Sequence, residues 1–143
     1  MDLFRALGVS ASGLSAQRAR MDVISENLAN SETTGPGPTG LYRRKLTLLE
    51  PIRSLGFAGF LAPGDAPTGG VRVRGVVQSQ DPPRRIHQPE HPQAGPDGYV
   101  ELPNVNPLVE MLDMLAATRA YEANATAFQA TKSLATKLLE LLR

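Results

Sequence analysis

The stretch NPLVEMLDMLAATRAYEANATAFQATKSLATKLLELLR, residues 106–143, decides the fold because it contains no glycine and no proline after Pro107. Asn106 suits the N-cap of a helix, and Pro107 suits the first helical position, where its missing N–H is not needed. A helix over these residues would be about 55 Å long, unusual for a small globular protein. Along it, side chains repeat every seven residues at Met114, Tyr121, Phe128, Ala135 and Leu142.

Further side chains widen this repeat into a stripe. They are Leu108, Met111, Leu115, Thr118, Ala125, Thr131 and Leu138. Many of the remaining positions are alanine, which permits close helix–helix approach on more than one side. The simplest alternative explanation of the alanines is good helix propensity.

The N-terminal residues 1–30 predict a second, weaker helix. Gly8 and Gly13 lie inside it, and each costs about 1 kcal/mol relative to alanine. A seam with a seven-residue repeat runs along this segment at Leu7, Leu14, Met21 and Leu28, with Ala11 and Ile24 between. We expect this seam to need a partner, either within an assembly or, as the alternative, within an ordinary monomeric helix bundle.

The middle of the chain predicts short strands separated by turns. The candidate strands are residues 42–49, 71–77, 85–87 and 99–102, of which 71–77 alternates apolar and charged residues most clearly. The sequence Pro96-Asp97-Gly98 predicts a turn before the last strand. Residues 54–70 are rich in glycine, alanine and proline and predict a mobile loop.

The predicted fold class is therefore mainly α with a small β region, with the two terminal helices forming a coiled-coil-like pair. We expect three segments: an assembly helix at 1–30, a small β/loop domain at 31–105 and an assembly helix at 106–143.

Composition excludes several classes of protein. The 143 residues carry a net charge of +1, which does not favour binding to nucleic acid or anionic membranes through the overall field. Because the chain has no cysteine, disulfides and thiolate chemistry are excluded. We expect neither a cleaved signal peptide nor a transmembrane span, since no long continuous apolar run occurs.

No motif for catalysis is found, so we expect no enzyme activity, cofactor or catalytic residue. His87 and His91 flank Glu90 in HQPEH, but the neighbouring prolines oppose a regular helix, and we expect no metal site. A small metal-dependent enzyme using these histidines is the rival hypothesis. The basic run at 43–45 favours strand-face solvation or pairing with the acids of a neighbouring subunit over nucleic-acid binding.

The most distinctive polar feature is the end of the first helix, where Asn27 and Asn30 lie three residues apart. Together with Thr33-Thr34-Gly35, the sequence Asn27-Leu-Ala-Asn30 resembles a motif of bacterial flagellar rod and hook proteins. The other end of the chain resembles their second motif through Asn104-Val-Asn106, Glu110-Met111, Met114 and Arg119-Ala-Tyr121-Glu122-Ala-Asn124. Both motifs occur in the expected order at the two ends.

Within this group, the chain resembles the short proximal-rod FlgC family. The similarity rests on its length, on Tyr42-Arg43-Arg44, and on Asp97-Gly98-Tyr99-Val100 leading into Pro103-Asn104-Val105. It covers nearly the whole chain and is least clear at 54–70. Departures are the length of that loop and Leu134, where methionine is frequent.

The resemblance implies a structural subunit of the periplasmic rod, the shaft that transmits torque in the flagellar basal body. It implies export by the flagellar type III apparatus and contact with that apparatus. The implied partners in the rod are copies of the chain itself and adjacent rod proteins of the FlgB, FlgF, FliE and FlgG types. The alternative is a soluble helical adaptor or chaperone that binds partner helices.

We expect assembly contacts along the two terminal helices, with the middle segment outside. The candidate interface residues are Leu7, Leu14, Met21, Ile24, Asn27, Leu28, Asn30, Met111, Met114, Tyr121, Asn124, Phe128 and Leu138.

Overall fold

A computed structural model describes residues 3–35, 40–53 and 68–141. The described residues include two sheets of two antiparallel strands each, one pairing the first strand with the second and the other the third with the fourth. The elements in chain order are α1 (Leu3–Ala29), β1 (Lys45–Arg53), β2 (Thr68–Gln78), β3 (Arg84–His87), β4 (Tyr99–Leu102) and α2 (Pro107–Leu141). The predicted fold class, mainly α with a small β region, is confirmed.

The two long helices pack against each other in opposite directions. Asn27, near the end of α1, bonds Glu110 near the start of α2, whereas Gly13 lies against Asn124 farther along α2. Continued at this register, Leu3 lies beside about residue 134, given the equal rise per residue of both helices. The last turns of α2 therefore extend past the described start of α1, and residues 136–141 are all exposed.

Close approach of the helices uses small and polar side chains. The fully buried positions of α1 are Ser10, Gly13, Ala16, Ile24 and Asn27. The seam predicted on α1 is therefore only partly buried within the subunit: Ile24 is buried, Leu7, Leu14, Met21 and Leu28 are half-buried, and Ala11 is exposed. The physical reason is that glycine, alanine and serine let neighbouring elements approach the backbone of α1 more closely than leucine does.

The stripe on α2 is only partly covered. Met114, Tyr121, Phe128 and Ala135 are half-buried, as are Thr118, Ala125 and Thr131. Four further residues of the stripe are exposed in the single subunit: Leu108, Met111, Leu115 and Leu138. Leu142 lies outside the described residues.

Polar side chains define both helix ends, at Asn106 as predicted and also at Asn30. The Asn106 carboxamide oxygen accepts the N–H of Leu108 at 3.0 Å, which makes Asn106 the N-cap before Pro107. At the end of α1, the Asn30 side chain donates to the carbonyl of Glu26 at 2.8 Å. Asn27 has a different function, described below.

The β1–β2 sheet is longer than predicted and shifted along the chain. Residues 42–44 precede β1, because the N–H and carbonyl of Arg44 bond Asn104 and Ser79. β1 instead continues past Pro51, where an irregularity in the register accommodates the proline. The predicted loop 54–70 was wrong for residues 68–70, which pair as the start of β2; residues 54–67 lie outside the described part.

Gly70 brings the β1–β2 sheet into contact with α1. Its φ of 127° lies in the region that favours glycine, and an added Cβ would collide with the Ser12 side chain. The next residue, Val71, donates its N–H to the Ser12 hydroxyl at 3.1 Å. Beyond this point Val71 and Val73 are half-buried while Arg72 and Arg74 are exposed, which confirms the predicted alternation.

The small β3–β4 sheet matches its prediction closely. β4 has the predicted bounds, and β3 begins one residue earlier than expected. The turn before β4 contains Gly98 at φ 72°, and its N–H donates to the carbonyl of Gly95 at 2.9 Å. Val100 and Leu102 of β4 are buried, together with Val105, so the connection into α2 is anchored in apolar contacts.

Two glycines of α1 provide a matched test of the helix pair. A Cβ at Gly13 would lie 2.7 Å from the Asn124 carboxamide oxygen, and Asn124 is tied to the carbonyl of Ala120; a Cβ at Gly8 meets nothing within 4 Å. We expect Gly8→Ala to stabilise the chain by up to about 1 kcal/mol, and Gly13→Ala to destabilise it by about 1 kcal/mol or more. Thermal unfolding followed by circular dichroism measures both.

A second substitution serves as the control for the clash. Adding Asn124→Ala to Gly13→Ala removes the colliding carboxamide and should recover much of the lost stability. Equal stabilisation by Gly8→Ala and Gly13→Ala would contradict the close packing of α1 on α2 at this point.

Candidate assembly interface

A buried asparagine joins both helices to the β1–β2 sheet. Asn27 is only 1% exposed. Its amide nitrogen donates to the carbonyl of Lys45 at 2.8 Å and to Glu110 Oε2 at 3.0 Å. Its oxygen accepts the Lys45 N–H at 2.9 Å and the Tyr42 hydroxyl at 2.8 Å. A carboxamide has two N–H donors and two acceptor lone pairs, and here all four are used.

The carboxylate beside Asn27 is equally buried. Glu110 is 1% exposed, and its Oε1 accepts the Nε of Arg44 at 2.6 Å. Arg44 also reaches Asp113 at 3.4 Å, and Arg20 of α1 bonds the other Asp113 oxygen at 3.3 Å. Such a buried carboxylate is tolerable only with a paired cation and hydrogen-bond donors, and loss of one partner is costly. We call the group Asn27, Tyr42, Arg44, Lys45 and Glu110 the junction.

A second asparagine extends the junction to the other strands. Asn104 accepts the backbone N–H of Arg44 at 3.1 Å and donates to the Ser79 hydroxyl at 2.9 Å. Ser79 donates its own N–H to the carbonyl of Arg44 at 2.7 Å and its hydroxyl to Asp81 at 2.6 Å. The end of β2 and the segment before α2 are therefore fixed to the residues that precede β1.

Tyr42 takes part in the junction as a neutral phenol. Burial, aided by the nearby carboxylates of Glu26 and Glu110, raises its pKa from 10.0 to about 12. The phenol therefore keeps its proton, and its O–H donates a hydrogen bond to the Asn27 carboxamide oxygen. Lys45 lies over the same ring at 5.6 Å and pairs with Glu26.

The start of α2 presents an apolar patch to solvent. Its four residues are spaced i, i+3, i+4 and i+7, so they lie on one face of the helix. Each is more than half exposed: Leu108, Met111, Leu112 and Leu115. Adjacent exposed apolar side chains of this kind are typical of interaction sites.

The candidate interface residues fall into three groups. Ile24 and Asn27 are buried inside the subunit. Exposed positions are Met111 and Leu138. The remaining candidates are half-buried: Leu7, Leu14, Met21, Leu28, Asn30, Met114, Tyr121, Asn124 and Phe128.

The structure brings together residues that the sequence did not single out as one site. Arg44 and Lys45 belong to the basic run for which the sequence favoured solvation or the acids of a neighbouring subunit. Their acidic partners are instead Glu110, Asp113 and Glu26 of the same chain. One signal could have found this pairing: Glu110 occupies the first turn of a helix beside its apolar stripe, and a carboxylate buried there requires a cation nearby.

The rival metal site gains no support from the described residues. Among them, no group of three or more metal-binding side chains occurs. The ring of His87 packs edge-on against Tyr99, with centroids 5.0 Å apart. Within the described residues, neither helix combines the length and the hydropathy of a membrane span.

Two family models match the chain at its two ends. The model described as "Flagella basal body rod protein" matches residues 7–36. The model described as "Flagellar basal body rod FlgEFG protein C-terminal" matches residues 97–141. The first range includes α1 from Leu7 onward, with Asn27, and the second includes all of α2, with Glu110.

Curated relatives match over the full length. A protein of Bacillus subtilis is 42% identical, covering 99% of both chains. A protein of Borreliella burgdorferi is 39% identical over 100% of this chain and 99% of its own. A protein of Salmonella typhimurium is 37% identical over 99% and 98%, respectively. All three are named flagellar basal-body rod protein FlgC.

The raised pKa of Tyr42 predicts an alkaline dependence of stability. Because the phenol titrates near 10.0 when unfolded and at about 12 when folded, its contribution is complete below pH 10 and is lost as pH rises toward 12. We expect Tyr42→Phe to lower the free energy of unfolding at neutral pH and to flatten its fall over this alkaline range. Urea unfolding of both proteins at several pH values measures the effect.

Tyr99→Phe serves as the control, because Tyr99 is exposed and lies outside the junction. It should leave the alkaline slope unchanged. If the free energy of unfolding of Tyr42→Phe falls with pH as steeply as that of the unsubstituted chain, the proposed titration of the Tyr42 phenol is contradicted.

Proposed function

The chain belongs to the FlgC family of flagellar basal-body rod proteins, and from this premise we propose how its helices build the rod. It is a structural subunit of the flagellar basal body, located in the rod. Its relatives are structural rod proteins rather than enzymes. We assign it no catalytic residue and no cofactor.

We propose that the terminal helices divide the work of assembly between two faces. The inward faces, with Leu14, Met21, Phe128 and Asn124, hold α1 against α2 within one subunit. The outward face of α2 meets neighbouring subunits. The observation that carries this proposal is the exposed patch Leu108, Met111, Leu112 and Leu115. Exposure of apolar surface to water is unfavourable, and a neighbouring helix would remove this surface from water.

The remaining candidate residues follow the same division. Leu7, Ile24 and Leu28 support the inward packing of α1, and Tyr121 and Met114 support that of α2. Asn27 and Asn30 fix the end of α1, so Asn27 contributes indirectly by positioning the helices. Met111 and Leu138 are direct contacts with neighbours. The segment 31–105 forms a small outer domain between the assembly helices 1–30 and 106–143.

The wider role follows from membership of the family. We propose that the subunit is exported by the flagellar type III apparatus, polymerises through its terminal helices, and transmits torque along the axial shaft. Its partners are copies of itself and adjacent rod proteins of the FlgB, FlgF, FliE and FlgG types. Resistance to shear comes from interlocked helices, so no residue needs to do chemistry.

Substitutions on the two faces separate assembly from folding. Leu112→Asp places a charge on the outward face, where the side chain is exposed in the single subunit; we expect unchanged unfolding but loss of incorporation into basal bodies and of motility. Phe128→Asp and Leu28→Asp place a charge between packed elements. Each should lower the free energy of unfolding by about 2–4 kcal/mol and also prevent incorporation. Complementation of a deletion strain and analysis of isolated basal bodies measure incorporation.

Leu112→Met is the matched control, because it keeps an apolar side chain of similar volume and should be incorporated normally. Normal motility and incorporation of Leu112→Asp would overturn the assignment of the outward face. Normal incorporation of Phe128→Asp and Leu28→Asp would show that the inward contacts are not required.

A further inference from the structure

We propose that subunits dock head to tail through α2, with the end of one helix covering the start of the next. This inference rests on the proposed function and adds to it a specific pair of surfaces and their register. The proximal patch is the set already defined: Leu108, Met111, Leu112 and Leu115. We define the distal patch as three exposed leucines at the other end of the same helix: Leu134, Leu138 and Leu141.

In the distal patch, Leu134 lies level with Leu3, whereas Leu138 and Leu141 lie past the described start of α1. The antiparallel register of the helix pair leaves the last turns of α2 beyond the described start of α1, and residues 136–141 are all exposed. The three leucines are spaced i, i+4 and i+7, so they form one face. Each of them is more than half exposed in the single subunit. A surface that projects from the subunit in this way can be buried by another molecule.

The two patches have the same leucine spacing. In the proximal patch, Leu108, Leu112 and Leu115 are separated by four and three residues, and the distal leucines repeat these separations. Two parallel α2 helices staggered by 26 residues, about 39 Å, therefore bring all three leucine pairs level at once. Met111 of the proximal patch flanks the leucines and fits an irregular apolar contact.

This contact joins two different surfaces of the same chain. A contact between unlike surfaces leaves one free patch at each end of a dimer, so further subunits can add, and they form an open filament when the rotation between subunits does not close a ring. A parallel arrangement also brings the carbonyl end of one α2 beside the first part of the next, where partial charges of opposite sign attract. These features favour a second copy of the chain as the occupant of each patch.

Cysteine cross-linking can test the contact without background, because the natural chain has no cysteine. We would prepare full-length Leu112→Cys and Leu138→Cys, carrying tags of different mass, and oxidise them separately and mixed. Since residues 112 and 138 lie level in the proposed register, the mixture should give a disulfide-linked heterodimer, and neither variant alone should give much dimer. A chain carrying both substitutions should give a ladder of oligomers.

Two further variants test the register and the apolar nature of the contact. Thr126→Cys is exposed and lies between the two patches, so its mixture with Leu138→Cys should give little dimer. Adding Leu108→Asp to Leu112→Cys should reduce heterodimer formation roughly ten- to hundredfold, the expected effect of losing one buried leucine.

Three outcomes would overturn the proposal. Efficient dimerisation of Leu112→Cys alone would indicate a symmetric contact of the proximal patch with itself. Equal cross-linking by Thr126→Cys would indicate no defined register. Absence of cross-linking in every mixture would assign the patches to other rod proteins; if Leu112→Asp still blocks incorporation, the proposed function stands and only the head-to-tail contact fails.

Discussion

Glu110 can be buried between the helices and the sheet only because Arg44 and Asn27 reach it from two other segments. A carboxylate removed from water loses several kcal/mol of solvation unless a cation and hydrogen-bond donors replace the water. Arg44 supplies the charge at 2.6 Å and Asn27 supplies an N–H at 3.0 Å. Because these groups come from α1, from the residues before β1 and from α2, any change in the relative position of the three segments leaves a buried polar group unpaired.

This requirement gives the subunit a single register. Small residues such as Gly13 and Ala16 let α1 approach its neighbours closely, but apolar contacts between small side chains allow sliding along the helices. The four hydrogen bonds of Asn27 prevent such sliding, because each fixes a direction as well as a distance. Once the junction holds the start of α2 in place, the same helix must present Leu108 and Leu112 outward and carry Leu138 past α1. The proposed assembly surfaces thus follow from a polar contact made inside the subunit.

The sequence alone was sufficient to predict most of the helices and strands, but it was insufficient to predict which side chains contact each other between them. The absence of glycine and proline after Pro107, the cap at Asn106 and the alternation at 71–74 correctly predicted α2 and β2. A seven-residue repeat, however, identifies only a face of a helix, and it cannot show whether small residues bring the helices so close that the buried line shifts. Asn27 stands out in the sequence, but only as a residue at a helix end. Its hydrogen bonds reach Tyr42, Lys45 and Glu110, and contacts across 83 residues of chain, as between Asn27 and Glu110, leave no local pattern.

The most direct test of the junction is a double-mutant cycle between Asn27 and Glu110, with the free energy of unfolding measured by urea denaturation. Asn27→Asp brings two carboxylates together. Glu110→Gln brings two amide donors together and weakens the pair with Arg44. Each single substitution should therefore destabilise the subunit. In the double variant the new amide at position 110 can donate to the new carboxylate at position 27. The junction therefore predicts a smaller loss than the sum of the single effects, with a coupling of about 1 kcal/mol or more. Single effects that add to within about 0.5 kcal/mol would contradict it.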